Sequence, residues 1–361
     1  MPYFGVTIVD LYGHKDLRER LLKSLAASTL PASILFHGPR GTGKQRLALW
    51  LAQALLCTNE NPPCCSCQSC SYLGSLTHPD LHWVFPRPRL KDADNLEDIR
   101  DDYAEAIAER AKAAGLYPPP SGSEGIFVAT VRTLVKDASL SPALGRRKVF
   151  IVGDAERMVV QEGADMAANA FLKLLEEPPA DTTLILTSSE PGALLPTIRS
   201  RVAAIRVAPV AEGDVRAFVE DERVKTFLDK IDKSSSTDDR LRRAAGRPGE
   251  LLEGDTAARA IIAARKILDA ALGDRASVRY LTAVNQGVRA ARGAFSDTLD
   301  ALVMLLGERM RESLHGNDDR GAAAASRAVN AALRAKQYAS GNVNPQLITS
   351  RLIREISATF R

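Results

Sequence analysis

Residues 33–57 read SILFHGPRGTGKQRLALWLAQALLC, and this stretch decides the fold. Ser33 to His37 is a short apolar run of the kind that forms a buried strand. It leads straight into Gly38-Pro-Arg-Gly-Thr-Gly43-Lys44, which fits the phosphate-loop pattern G-x-x-x-x-G-K. Gly38, Gly41 and Gly43 let the backbone curl so that successive N–H groups face phosphate oxygens, at the positive end of the helix that follows. Lys44 would reach the β and γ phosphates of a bound nucleotide. The strand before the loop and the helix after it are the context this motif requires.

The loop departs from a working one at the next residue. A Ser or Thr there supplies a hydroxyl to Mg²⁺; here it is Gln45, longer and a poorer fit to a small octahedral shell. The second half of such a site needs a strand ending in Asp-Glu, one residue for the metal and one to polarise water. This chain has Ile151-Val152-Gly153-Asp154-Ala155-Glu156. If Gly153 takes the metal position, Asp154 stands one methylene short of the Glu. If the register slips by one, Asp154 takes the metal and Ala155 replaces the base. The pair is broken either way, so the loop is expected to serve the fold, with weak or no binding of ATP and Mg²⁺ in its own site.

Working outward, helical spacing over 16–27 precedes the loop. Further strands read at 81–85 (LHWVF), 148–152 (KVFIV) and 182–189 (TTLILTSS), with helices at ATVRTLVKDASL and ADMAANAFLKLLEE between them. Strands alternating with helices predict a parallel sheet covered on both faces. Residues 86–125, opened by Pro and Arg and closed by YPPPSGSEG, read as an inserted surface hairpin or arm around a charged helix. Beyond Pro209 no strand is convincing, and the chain turns Ala/Leu-rich and helical. The fold class is therefore α/β followed by all-α, with divisions at 1–208, 209–255 and 256–361.

All five cysteines lie between Cys57 and Cys70. A disulfide framework would scatter them. Cys57, Cys64, Cys67 and Cys70 form C-x6-C-x2-C-x2-C, whose compact turns let four thiolates close a tetrahedral Zn²⁺ shell, a structural site. Cys65 is left over. His78 in His-Pro-Asp reads as a residue that turns the chain, not a fifth ligand.

Composition sets bounds on the rest. A length of 361 residues predicts about two or three domains. The net charge of +4 is too small for a dedicated non-specific DNA binder, and 5% aromatics disfavours a stacking platform for single strands. No signal peptide is visible, and no run of about 18 apolar residues suggests a membrane span. The expected compartment is the cytoplasm.

Several longer stretches carry a resemblance. After HGPRGTGK and the cysteine module come HPDLHWV (78–84), AANAFLKLLEEPP (167–179), LLPTIRSR (194–201) and GNVNPQLITSRLIREI (341–356). Together they resemble the bacterial clamp-loader family of DNA polymerase III, and within it the delta-prime branch. The likeness spans nearly the whole chain except about 86–125. It implies an AAA+ P-loop-type α/β domain, a small helical lid and a C-terminal helical collar that joins a pentamer. It also implies that Arg201, in Ser200-Arg201-Val202, reaches the ATP of a neighbouring subunit in trans. The family's cysteine after that arginine is replaced by Val202, while the guanidinium that would do the work is kept. A lid arginine that senses nucleotide in active relatives falls on Gly249 of Ala245-Gly246-Arg247-Pro248-Gly249, and its role does not pass to Arg247. Ser188 falls near another sensor position, though a serine ending a strand is unremarkable.

The partners implied are gamma/tau motor subunits, the delta subunit, a sliding clamp and, through the complex, primed DNA, with no membrane. On this reading the chain is a component of a DNA polymerase holoenzyme that hydrolyses no ATP of its own. Two other readings stand beside it. Lys44 and the zinc module also suit an active gamma/tau-type clamp-loader ATPase, and the mild positive charge allows a zinc-containing DNA-binding adaptor. Leu302, Leu305, Leu306, Leu347, Leu352 and Ile356 mark helical stripes that spacing alone assigns to neither core nor interface.

Overall fold

The computed structural model describes residues 7–90, 95–120, 124–159, 171–233, 235–285, 292–340 and 343–360. Two compact units form: Met1–Pro119 with Glu124–Leu252, and Glu253–Arg361 with Pro120–Ser123.

The first unit is built on a sheet of five parallel strands: β1 (Ser33–His37), β2 (Leu81–Val84), β3 (Lys148–Val152), β4 (Thr182–Ser188) and β5 (Ala203–Arg206), in the order β2-β3-β4-β1-β5. Every residue of β3 and β4 is buried, as is most of β1, which is why these strands read as continuous apolar runs. β5, at one edge, alternates between half-buried and exposed and carries no such run. Helices α1 (Lys15–Ala26), α2 (Lys44–Leu56), α3 (Gln68–Gly74), α4 (Leu96–Lys112), α5 (Val128–Ala138), α6 (171–176) and the short α7 (Pro196–Arg199) belong to this part. Phe36, Phe150, Phe171 and Leu47 are fully buried in one core with the strands, each worth about 1.5–3 kcal/mol of apolar burial. The α/β layer expected from the alternation is present; residues 164–170 of the expected helix before β4 lie outside the described residues.

Part of the stretch 86–125, expected as an inserted surface hairpin or arm, packs into the core. Its charged helix α4 carries Ile99, Tyr103 and Ala106 at i, i+4 and i+7, and all three bury in the same core. The Tyr103 hydroxyl donates to the Phe85 carbonyl at 2.7 Å, and Arg87 pairs with Asp102 through two bonds of 2.9 and 2.7 Å. An antiparallel bridge between Arg87 and Gly125 brings the two ends of the stretch together. Polar composition hid a narrow apolar stripe.

Beyond Val207, α8 (Glu212–Glu220), α9 (Glu222–Ile231) and α10 (Thr237–Ala244) pack around Val215, Phe218, Val224 and Leu241. Val9, Ala114 and Leu116 join this smaller cluster. Ser236 starts α10 with a capping box to Asp239.

The second unit is helical: α11 (Gly254–Leu272), α12 (Ala276–Val284), α13 (Arg292–His315), α14 (Asp319–Ser340) and α15 (Pro345–Thr359). Ala328, Ala331, Ala332 and Ala335 give α14 a flat buried face against Leu299, Leu302, Leu306, Leu352 and Ile356. Leu302, Leu306, Leu352 and Ile356 are thus core, and Leu305 is packed against it. Leu347 stands 66% exposed, being five residues before Leu352 and so off its face of the helix. Among the described residues no helix is long and apolar enough to cross a membrane.

Candidate functional site

The phosphate loop joins the C-terminal end of β1 to α2, with the ends of β3 and β4 beside it, where ligands meet open parallel sheets. Gly38 has no alternative: a Cβ there would lie 2.1 Å from the Val207 carbonyl oxygen. Gly43 caps α2 in the left-handed region, with φ 85. Lys44 does not stand open. Its ammonium donates to the carbonyls of Gly38 (3.0 Å) and Pro39 (2.8 Å) and to Ser189 Oγ (2.9 Å). Those contacts use the three donors it has. Burial also lowers its pKa from the usual lysine value.

The neighbouring corner is filled by the chain itself. Gln45 Nε2 donates to Asp154 Oδ2 at 3.0 Å, while its Oε1 accepts from Trp83 Nε1 at 3.2 Å and from the Tyr117 hydroxyl at 3.3 Å. The amide lies directly over Gly153, where a Cβ would come within 2.4 Å of Gln45 Oε1. This places Gly153 beneath Gln45 and brings Asp154, in a left-handed conformation with φ 48, onto the amide. A Mg²⁺ ion needs oxygen ligands. Here the amide oxygen is committed to Trp83 and Tyr117, and the NH₂ group, which cannot ligate, faces the carboxylate. The residues present do not fit the metal. Burial raises the pKa of Asp154 and of Glu156, and for Glu156 the nearby Asp154 charge adds to it. Glu156 Oε1 accepts from the Ser189 N–H at 2.9 Å, and its Oε2 is buried without a partner.

Tyr117 is fixed from behind. The Arg110 guanidinium lies 3.2 Å from the Phe85 ring centroid, 3.7 Å from that of Tyr117 and 4.7 Å from that of Trp83. The 86–125 stretch therefore reaches the phosphate-loop corner through Tyr117, and spacing gave no sign of it.

The loop is also closed from the 245–250 side. The Gly249 N–H donates to the Gly41 carbonyl at 2.9 Å. A Cβ on Gly249 would sit 2.8 Å from Gly41 Cα, so this position has no room here for a side chain. Arg247 pairs with Glu250 at 3.6 Å. Ser188 Oγ accepts from the Glu190 N–H at 3.1 Å, a turn contact.

Cys57, Cys64, Cys67 and Cys70 come together with all four sulfurs within 4.8 Å of one another. Cys57–Cys67 and Cys64–Cys70 sulfur separations are both 3.9 Å. Zinc–sulfur bonds of about 2.3 Å in a tetrahedron set sulfurs about 3.8 Å apart, so the set fits. Backbone N–H groups of Cys64, Cys67 and Cys70 point at Cys57, Cys64 and Cys67 sulfurs at 3.4, 3.3 and 3.5 Å, favouring thiolates. Contacts from Ser66 bring the Cys64 thiol down to about 5. Cys65 is exposed and turned to the Pro63 carbonyl. His78 is no ligand: its ring nitrogens meet Ser69 Oγ (3.3 Å) and the Asp80 N–H (3.1 Å). Asp80 in turn accepts from the N–H groups of Ala143, Leu144 and Gly145 at 2.5, 2.9 and 2.7 Å. His-Pro-Asp thus ties the cysteine module to the turn before β3.

Arg201 follows α7 and lies at the surface. Its Nη1 donates to the Thr197 carbonyl (2.8 Å) and to Ser200 Oγ (3.3 Å), and its Nη2 to Glu176 Oε1 (2.6 Å). None of these bonds goes to the phosphate loop.

The family model described as DNA polymerase III, delta subunit, matches residues 13–211. DNA polymerase III subunit delta' of Bacillus subtilis is 30% identical over 200 residues, 54% of this chain and 49% of that one. The subunit of the same name from Pseudomonas aeruginosa is 35% identical over 169 residues, 46% of this chain and 40% of that one. DNA polymerase III subunit gamma/tau of Mycobacterium tuberculosis is 30% identical over 202 residues, 55% of this chain and 28% of that one. The chain spans about half the length, or less, of these curated relatives.

Proposed function

The chain belongs to the DNA polymerase III delta-subunit family, and from that premise we propose that it is a delta-prime-type clamp-loader subunit that hydrolyses no ATP itself. It completes the ATP site of a neighbouring motor subunit with Arg201 and so helps to load a sliding clamp on primed DNA. Its partners on this reading are gamma/tau motor subunits and a delta subunit. The observation that carries the reading is the Gln45–Asp154 bond across Gly153, which fills its own metal corner while Arg201 stays at the surface.

Each residue's part follows from its chemistry. Lys44 and the loop glycines hold the fold of the α/β layer, since the lysine's donors are spent on its own loop and on Ser189. Arg201 presents a permanent cation to the neighbour's γ-phosphate, where negative charge spreads over the equatorial oxygens as water attacks. Cys57, Cys64, Cys67 and Cys70 would hold Zn²⁺, which supplies a rigid cross-link between the end of α2 and α3. The helices from α8 to α10 serve as the lid and those from α11 to α15 as the collar, with the divisions near 208 and 255.

A second reading, an active gamma/tau-type ATPase, draws on the 30% identity to the Mycobacterium tuberculosis subunit and on the intact Lys44. Calorimetry with ATP and Mg²⁺ separates the two. The first predicts no Mg²⁺-dependent heat from the full chain and no turnover. Tight Mg²⁺-dependent binding with turnover by the chain alone favours the second.

A further inference from the structure

Glu176 is assigned no part by the functional reading, yet it makes the shortest bond to the arginine on which that reading rests. It sits in the last turn of α6, just before Pro178 and Pro179 stop the helix. A carboxylate there faces the negative end of the helix dipole and is unfavourably placed unless a cation compensates. Arg201 supplies that cation from a segment 25 residues away.

The contacts on Arg201 form a cradle. A free arginine side chain samples many rotamers, and a phosphate oxygen can be met well in few of them. Thr197, Ser200 and Glu176 hold the guanidinium from two elements, the α7 turn and the end of α6. Even if each bond used a separate hydrogen, two of the five guanidinium N–H groups would remain for a ligand.

The same contact could in principle park the arginine away from its target, and its strength decides between the roles. The side chains of Arg201 and Glu176 are 33% and 46% exposed. An ion pair so hydrated contributes little. It is too weak to withhold an arginine from a triphosphate and strong enough to narrow its conformations. We infer that Glu176 is a positioning residue for Arg201, aiming the guanidinium at the γ-phosphate of the neighbouring subunit. The inference rests on the proposed role of Arg201 in trans.

The test is the clamp- and DNA-stimulated ATPase of the complex assembled with gamma/tau, delta, clamp and primed DNA. Arg201→Ala is expected to lower kcat about tenfold or more. Glu176→Ala is expected to lower kcat about three- to tenfold with KM for ATP within about twofold, because the contact acts on transition-state geometry. Glu176→Gln, which keeps an oxygen acceptor, should recover at least half of the wild-type rate. Glu176→Asp, one methylene short, should fall between the two, and it carries the test if the alanine variant does not fold. A normal or faster rate for Glu176→Ala beside a slow Arg201→Ala overturns the positioning role and leaves the trans role standing. A normal rate for Arg201→Ala sinks both.

Discussion

The phosphate-loop corner and the Arg201 corner are built to opposite specifications. At the first, Lys44, Gln45 and Asp154 are satisfied by one another, the loop backbone, Ser189, Trp83 and Tyr117, and Gly249 lies against Gly41. At the second, one arginine stands at the surface, held by a backbone carbonyl, a hydroxyl and a hydrated carboxylate. A side chain consumed inside its own fold is not available to a ligand, whereas one held weakly at the surface is. The difference separates motif from function: the loop keeps its pattern and is spent on structure, while Arg201 keeps its chemistry outside any motif complete in this chain.

Four changes should sharpen or break that contrast, in falling order of effect. The largest concerns the far end of α2. Metal analysis of the purified chain should find one zinc per molecule, and Cys70→Ser should remove it and lower stability by several kcal/mol. The proposed trans activity of Arg201 should survive in whatever fraction remains folded. A zinc-free wild-type chain of full stability would contradict the structural site.

Next comes the packing of Gln45 over Gly153. Gly153→Ala should cost about 1–3 kcal/mol by overpacking, because the amide can yield only by giving up its bonds to Asp154, Trp83 and Tyr117. Urea melts of Gly153→Ala, Gln45→Ala and the double variant form a cycle, and most of the alanine penalty should vanish once Gln45 is shortened. Additive losses would mean that the two positions are not in contact.

A smaller effect follows from Glu156, whose carboxyl is raised by burial and by the charge of Asp154. A carboxyl with a folded pKa above its unfolded value contributes stability in full below the unfolded value, and loses it as pH rises through the folded one. Glu156→Gln mimics the protonated form at every pH. Its stability relative to wild type should therefore grow as pH rises from about 4, the unfolded range, and level off above the folded pKa. A difference that is flat with pH contradicts the buried acid.

The smallest change is expected at the open corner. Glu176→Ala should shift stability by less than about 0.5 kcal/mol in a urea melt, since both members of the pair are partly in water.

Much of the first corner was legible in the sequence. Glycine spacing, a strand before and a helix after placed the loop, and Gln45 with Gly153-Asp154 announced that its metal corner was altered. What took the metal's place was not legible, because Trp83 and Tyr117 lie 38 and 72 residues from Gln45. That the Gln45 amide would lie against Gly153 and bond to Asp154 was likewise not legible. β5 escaped because an edge strand that buries only one face leaves no apolar run. The core face of α4 was masked by its charges, although the 99, 103, 106 spacing is a readable stripe. The Arg201–Glu176 pair joins two motifs that the sequence offered separately, and nothing in either names the other.

The central claim is that this chain acts on a neighbour's ATP and not on its own. It is tested most directly by measuring clamp- and DNA-stimulated ATPase of the assembled complex carrying Arg201→Ala, beside one carrying Lys44→Ala in the same subunit. The account predicts a fall of about tenfold or more for the arginine variant and a near wild-type rate per folded, assembled subunit for the lysine variant. The reverse pattern, a lost rate with Lys44→Ala and an unchanged one with Arg201→Ala, would contradict it.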